Sequence, residues 1–500
     1  MNLPWPANPL LYEINARVWL RELAGGGAPL RLDRIPEDAI LRLKEEGWNA
    51  LWLMGVWAAS PAGVRIARDH PGLREEYLRA LPGLREEDVI GSPYAVGAYR
   101  AAPDLGGDEA LLRLRERLAV HGLRLVLDFV PNHLARDHPW AAERPEVFVQ
   151  GTEEDLARAP SDFFRGPEGR VLAHGRDPNF PGWSDTVQIN YASPAARERM
   201  RGELVRIASL CDGVRCDMAM LLLPDVIERT WGGRLGPGPV QESFWPEAIA
   251  AVRALHPGFL FIAEAYWGRE AELQEQGFDY TYDKWLYDRL RAGDPAAVRA
   301  HLGASVGYQR RCARFIENHD EERAARAFGG GRWLPAAAAA FGAPGLKLFH
   351  EGQLEGRKVR LPVQLARRPP EPPDPEIGEG YRRLVAFLRE PLLRAGDFSL
   401  PEVRPAGPGG VSSGQVIALL WGPPAGSTLR QRALIAANLG GSPACARIPL
   451  SSALGAAAWV LEDRWDGSRY EREGGEMASP GLFVALKPHQ VHLFEMRPAG

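Results

Sequence analysis

Short apolar runs alternate with amphipathic helical stretches along most of this chain, and that alternation narrows its fold more than any other feature. The runs 12–18, 50–56, 123–130, 213–217, 260–264, 278–282, 314–318 and 346–349 are bounded by polar or turn-forming residues. Helical patterns such as 36–46, 107–119 and 194–209 lie between them. Apolar runs of this kind predict parallel strands, buried on both faces and joined by crossover helices. Eight such units in one run fit a closed (β/α)8 TIM barrel. An open doubly wound sheet would carry a Gly-rich phosphate turn after its first strand, and none follows residue 18.

Two connections exceed ordinary loop length. Residues 57–104 separate the second run from its helix. Residues 134–192, rich in Pro, Gly, Asp and aromatics, follow the third run and read as a small inserted domain. A Pro-rich stretch, 368–375, precedes a last helix over 380–393. Beyond it, 416–421, 433–438, 459–462 and 491–494 alternate with turn signals, which predicts a C-terminal antiparallel β-sandwich. The expected division is a barrel over 1–133 and 193–395, an insertion over 134–192 and a C-terminal domain over 396–500.

A net charge of −4 gives no reason to expect nucleic acid or an anionic membrane as partner. The first twenty residues hold Pro4, Pro6, Pro9 and Glu13 rather than a basic segment followed by an apolar one, unlike a signal peptide. No run reaches the roughly 18 apolar residues of a membrane helix. Cys211, Cys216, Cys312 and Cys445 have neither zinc-type nor redox-type spacing, so buried, reduced thiols and a cytoplasmic location are expected. The fifteen tryptophans suit the faces of sugar rings but equally suit cores; Trp52 and Trp57 read as core and barrel rim.

In such a barrel, functional residues gather where strands end at the C-terminal face. Polar residues stand at those places. Run three ends in Asp128-Phe-Val-Pro-Asn132-His133 and run four in Gly213-Val-Arg215-Cys-Asp217. Run five ends in Ile262-Ala-Glu264 and run seven in Phe315-Ile-Glu317-Asn318-His319-Asp320. Arg215 and Asp217, two apart on a strand, share a side. Breaking a glycosidic bond takes one carboxyl as acid and one as nucleophile or base. An adjacent Arg⁺ keeps a carboxyl ionised, which suits Asp217 as nucleophile. The apolar neighbours of Glu264 predict a raised pKa and a proton available for donation. Asp128 is expected to be structural, as a partner for Arg215.

These four segments resemble, in order and spacing, the four short motifs of the α-amylase superfamily, glycoside hydrolase family 13. The likeness covers about residues 10–390. It implies retaining cleavage of α-glucosidic linkages through a covalent glycosyl intermediate on Asp217, with Glu264 as general acid/base. It implies that Asp320 grips the sugar's hydroxyls and favours a distorted ring. His133 and His319 would bind the same sugar, and Tyr94, in Gly91-Ser-Pro-Tyr94, would stack on it.

Departures from the family pattern matter as well. A Lys-His pair common after the nucleophile is replaced by Met220 and Leu221, which alters the leaving-group side and the family's calcium site. Asn132 and residues 185–190 stand as remnants of that site; no metal and no other cofactor is assigned. Arg357, Lys358 and Arg360 follow the eighth run, and three cations in four residues suit a phosphorylated or otherwise anionic substrate. Two further readings remain open. One is an α-glucan transglycosylase of maltosyl-transferring or trehalose-related type; the other is a non-catalytic carbohydrate-binding homologue. A metal-dependent barrel hydrolase would need a His/Asp cluster that the runs lack.

Overall fold

Eight parallel strands close into a barrel. They are β1 (Leu10–Asn15), β2 (Ala50–Met54), β3 (Arg124–Phe129), β4 (Gly213–Cys216), β5 (Leu260–Ala263), β6 (Tyr280–Tyr282), β7 (Cys312–Arg314) and β8 (Leu346–His350). Each pairs with its neighbour in the chain, and β1 closes against β8. Every residue of β1, β2, β4, β5 and β8 is buried, as strands covered on both faces require. The computed structural model describes residues 5–235, 240, 242–407, 411–450, 454–455 and 457–499.

The expected helices lie at Glu37–Glu46, Gly107–Val120 and Pro194–Leu210. Their ends follow from local chemistry. The Ser193 side chain caps Pro194–Leu210 by accepting from Ala196 N. Gly47, at φ 100°, ends Glu37–Glu46 in the left-handed conformation that glycine tolerates. The last expected helix, 380–393, begins earlier and breaks in two, Pro375–Leu388 and Pro391–Ala395. Pro391 has no N–H to continue the first helix. The seventh strand is also displaced: Cys312–Arg314 replaces the expected 314–318, so Phe315 to Asp320 lie beyond its end.

The chain separates into two compact units. The first comprises Tyr12–Tyr282 with Val359–Pro370. Its long connection after β2 pairs Trp57–Ala59 with Val96–Ala101 and holds the helices Pro61–Asp69 and Pro71–Ala80. Its segment after β3 forms two small antiparallel sheets. His133–Ala135 pairs with Thr186–Gln188, and Phe163–Arg165 pairs with Val171–Ala173.

The second unit comprises Trp5–Leu11, Asp283–Lys358 and Glu371–Gly500. It carries β7, β8 and two antiparallel sheets. The six-stranded sheet contains the four expected strands, at Val416–Gly422, Arg432–Asn438, Ala458–Asp463 and Val491–Pro498, with Asp397–Ser399 and Arg469–Glu473 at its edges. The three-stranded sheet runs Arg404–Pro405, Ala444–Ile448, Leu482–Leu486. Leu434, Leu461, Phe494 and Met496 of the first sheet share one core with Ile448 and Val484 of the second. Each such large side chain contributes about 1.5–3 kcal/mol by leaving water.

All four cysteines are free, and Cys211, Cys216 and Cys312 are buried as expected. Cys445 is exposed instead. It occupies an outward position on a strand, Ala444–Ile448, whose burial alternates from residue to residue. No helix among the described residues is long and apolar enough to cross a membrane.

Candidate active site

Strand register builds the first unit's cluster. Pairing of β4 with β3 sets Arg215 level with Asp128, and pairing with β5 sets it level with Ile262. Asp217 and Glu264 each stand just past the end of their strand. Arg215 Nη1 donates to Asp217 Oδ1 at 2.6 Å, Nη2 lies 2.8 Å from Glu264 Oε2, and Asp128 Oδ1 is 3.6 Å from Nη1. All four side chains are nearly inaccessible to water. Arg215 Nε donates to Tyr282 Oη at 3.3 Å, and the guanidinium faces the rings of Trp52 and Tyr94 at 5.2 and 5.3 Å. Burial alone would lower the guanidinium pKa. The facing Glu264, Tyr282, Tyr94 and Asp217 outweigh it, and Arg215 stays charged.

This corrects the expected division of environments. Glu264 is not merely set among apolar neighbours: besides the Arg215 ion pair, it accepts from Met218 N at 2.6 Å and from Tyr266 Oη at 2.8 Å. Three carboxyls share one buried guanidinium, so full ionisation would leave an excess of negative charge. Met218, next to Asp217, has φ 42°, a left-handed conformation uncommon for a non-glycine residue. Its bond to Glu264 compensates part of that strain.

The segment after β3 supplies His133. Its ring lies 5.0 Å from Trp183 between centroids, and burial pushes it down to about 4 against a hydrogen bond to the Tyr94 backbone. A Cβ on Gly175 would stand 2.6 Å from His133 Cβ, so glycine there is what admits the imidazole. Asn132 Oδ1, a candidate calcium ligand, instead accepts from Gln188 Nε2 at 3.0 Å, and the same nitrogen donates to Asn132 O at 2.8 Å. An amide donor directed at that oxygen does not fit a cation site. Among the described residues no group of three or more His, Cys, Asp or Glu could hold a metal ion.

Met220 and Leu221 sit buried in the short helix Ala219–Leu222, so no polar group replaces the missing Lys-His pair there. Arg360 forms an ion pair with Glu76. A carboxylate thus engages one of the three expected anion-binding cations.

The second unit holds His319 and Asp320 on the loop after β7. His319 Nε2 lies 3.0 Å from Asp320 Oδ2; the imidazole is buried and the carboxylate half exposed. Arg357 and Lys358 belong to this unit as well, and the Arg357 Nε is buried with no hydrogen-bond partner. Sequence reasoning read Trp52 as core only and overlooked Tyr266 and Tyr282. Tyr266 alone had a readable signal, standing two residues beyond Glu264 in the same segment.

No family model matches the chain. Alpha-amylase MalA of Haloarcula japonica is 25% identical over 372 residues, covering 71% of this chain and 45% of that protein. The alpha-1,4-glucan:maltose-1-phosphate maltosyltransferase of Pseudomonas aeruginosa is 28% identical over 235 residues, 45% of this chain and 30% of that enzyme. The chain thus spans less than half the length of these two relatives. In fold it is similar to the noncanonic maltogenic alpha-amylase AmyB of Thermotoga neapolitana, with a TM-score of 0.65 at 19% identity over 99% of both chains. In sequence and in fold the chain is thus similar to proteins named as alpha-amylases.

Proposed function

We propose that the chain is a retaining enzyme acting on α-glucosidic linkages of oligosaccharides or α-glucans, with Asp217 as nucleophile and Glu264 as general acid/base. The observation that carries this reading is the single guanidinium of Arg215 between the two carboxyls. Retaining chemistry needs its carboxyl pair about 5–5.5 Å apart, and a shared guanidinium keeps them close. Arg215⁺ favours the ionised Asp217 that must attack the anomeric carbon. Glu264 protonates the leaving oxygen as the Asp217–glucosyl ester forms. Deprotonated, it then takes a proton from the incoming water, which cleaves the ester. Asp320 and His319 are assigned to holding the sugar, and Tyr94 and His133 to its binding, by their motif positions. No step requires a metal.

A second reading is glycosyl transfer, in which a sugar or phosphate replaces water as acceptor. What favours it is the buried, apolar Met220-Leu221 position and a relative named for maltose 1-phosphate. The unpartnered Nε of Arg357 offers a donor for an anion. Product chromatography separates the readings. Maltooligosaccharides, isomaltose, trehalose, sucrose and maltose 1-phosphate would be incubated with and without acceptor, with Asp217→Asn as control. Glucose or maltose released without acceptor supports hydrolysis, and longer or rearranged sugars support transfer. Turnover that survives Asp217→Asn defeats the assignment of the nucleophile.

A further inference from the structure

The loop that carries His319 and Asp320 has its far end tied to a single buried carboxyl. Glu317, wholly buried, accepts from Ala324 N through Oε2 at 2.6 Å and so closes the loop 318–323. Its Oε1 lies 3.1 Å from Arg323 Nη2 and 3.2 Å from His350 Nδ1. Arg323 completes the circuit: Nη1 lies 2.8 Å from His350 Nδ1, and Nη2 donates to Glu351 O at 2.8 Å. His350 Nδ1 thus has a donor, Arg323 Nη1, and an acceptor, Glu317 Oε1, both within reach, and its tautomer selects which of the two it bonds. Within the loop, Asn318 Oδ1 accepts from both Asp320 N and Glu321 N at 3.0 Å.

The Asp320 side chain itself is 48% exposed. Its direction is set by the backbone beneath it together with His319, whose Nε2 lies 3.0 Å from Asp320 Oδ2. That backbone is held at Asn318 and at Ala324, and the second hold depends on Glu317 staying in place. Arg323, 3% exposed, keeps Glu317 there, and through its contacts to His350 and Glu351 joins the loop to the end of β8. Burial pushes the Glu317 carboxyl up to about 7, although Arg323 and the Ala324 amide oppose it.

We propose that Glu317, Arg323 and His350 are positioning residues of the reaction, which fix the loop 318–323 and through it the direction of the Asp320 carboxylate. The inference rests on the reading above that Asp320 acts on the sugar. None of the three touches the reacting atoms. Glu317→Gln keeps the shape and an acceptor for Ala324 N but weakens the hold of Arg323, so it tests positioning rather than folding.

The experiment is a double-mutant cycle on the full chain, with Glu317→Gln, His350→Gln and Asp320→Asn singly and in pairs. Turnover of maltooligosaccharides and calorimetric affinity for acarbose are the two readouts. Misplacement by about 1 Å is expected to lower kcat about 10²-fold in Glu317→Gln, with KM little changed. In the Asp320→Asn background the same substitution is expected to have no further effect on kcat or on acarbose affinity. Equal losses with and without Asp320, or losses that track only the folded fraction, overturn the inference. A wild-type chain that turns over no α-glucoside overturns the proposed function and this inference with it; turnover with additive losses overturns the inference alone.

Discussion

Tyr266 Oη donates to Glu264 Oε1 at 2.8 Å, so the hydroxyl two residues beyond the proposed acid/base holds one carboxyl oxygen while Arg215 and Met218 N engage the other. A hydrogen bond to a charged group contributes about 1.5–3 kcal/mol. Tyr266→Phe is therefore expected to lower kcat/KM roughly 10- to 100-fold while leaving the melting temperature within a few degrees. Steady-state kinetics beside a thermal melt checks both halves, and unchanged kinetics would remove Tyr266 from the machinery.

Arg215 presents the opposite case, in which stability and activity fall together. Without its guanidinium, the buried Asp128, Asp217 and Glu264 face one another unpaired. Arg215→Ala is expected to destabilise the chain by about 3–5 kcal/mol, the usual effect of stranding one side of a buried ion pair. Arg215→Lys should recover only part, because a single ammonium lacks the planar fork that reaches two carboxyls at once. Denaturant unfolding measures both; a midpoint equal to wild type in Arg215→Ala would contradict the burial argument.

Burial sets the acid limb of stability. His133, His138 and His174 are each pushed down to about 4 by desolvation. Between about pH 4 and 6.5 the unfolded chain binds more protons at these sites, so stability rises with pH across that window and their contribution is complete above it. Each site contributes a slope of at most about 1.4 kcal/mol per pH unit. Glu317, raised to about 7, works against them: its contribution is full below about 4.5 and is lost as pH rises to 7. The three histidines outweigh it. Melting temperature is expected to climb from pH 4 to 6.5, and to climb more steeply in Glu317→Gln. A flat profile would mean that these imidazoles are not buried in solution.

Gly175 tests the seat of His133. A methyl group there would stand 2.6 Å from His133 Cβ and 2.9 Å from Thr186 Oγ1, closer than carbon tolerates. Gly175→Ala is expected to displace the imidazole, destabilise the chain by about 1–3 kcal/mol and reduce kcat about 10²-fold. Kinetics with the variant at a temperature where it is fully folded separates the two effects. Wild-type kinetics would mean that His133 does not contact the sugar.

Arg357 distinguishes the two acceptor readings. Its Nε is buried without a hydrogen-bond partner, whereas Arg360 is engaged by Glu76. If an anionic group binds there, Arg357→Ala raises KM for maltose 1-phosphate at least tenfold and leaves neutral maltooligosaccharides unaffected, while Arg360→Ala changes neither. Equal effects on charged and neutral substrates would dispose of the anion site.

The barrel was readable because buried strands and amphipathic helices impose their own periods on the sequence, and because turnover of a barrel needs polar residues at strand ends. The insertion's sheets were not readable, since three-residue strands such as Phe163–Arg165 are too short for any period to register. Edge strands of the C-terminal domain escaped for a related reason. Arg469–Glu473 carries a single apolar side chain, Tyr470, too few for a period to register, and is held in its sheet by pairing with Ala458–Asp463.

Sequence by itself determined the fold class and the acids Asp217, Glu264 and Asp320 as candidates, because covalent order fixes which residue ends which strand. It could not determine what those acids touch. Glu264 read as an acid among apolar neighbours, yet the pairing of β4 with β5 brings Arg215 within 2.8 Å of it from another strand. The roles of Tyr266, of Gln188 on Asn132 and of Glu317 beneath its loop also belong to the tertiary structure. A carboxyl's ionisation is set by the few charges and dipoles within about 4–6 Å, and most of those come from residues distant in the chain.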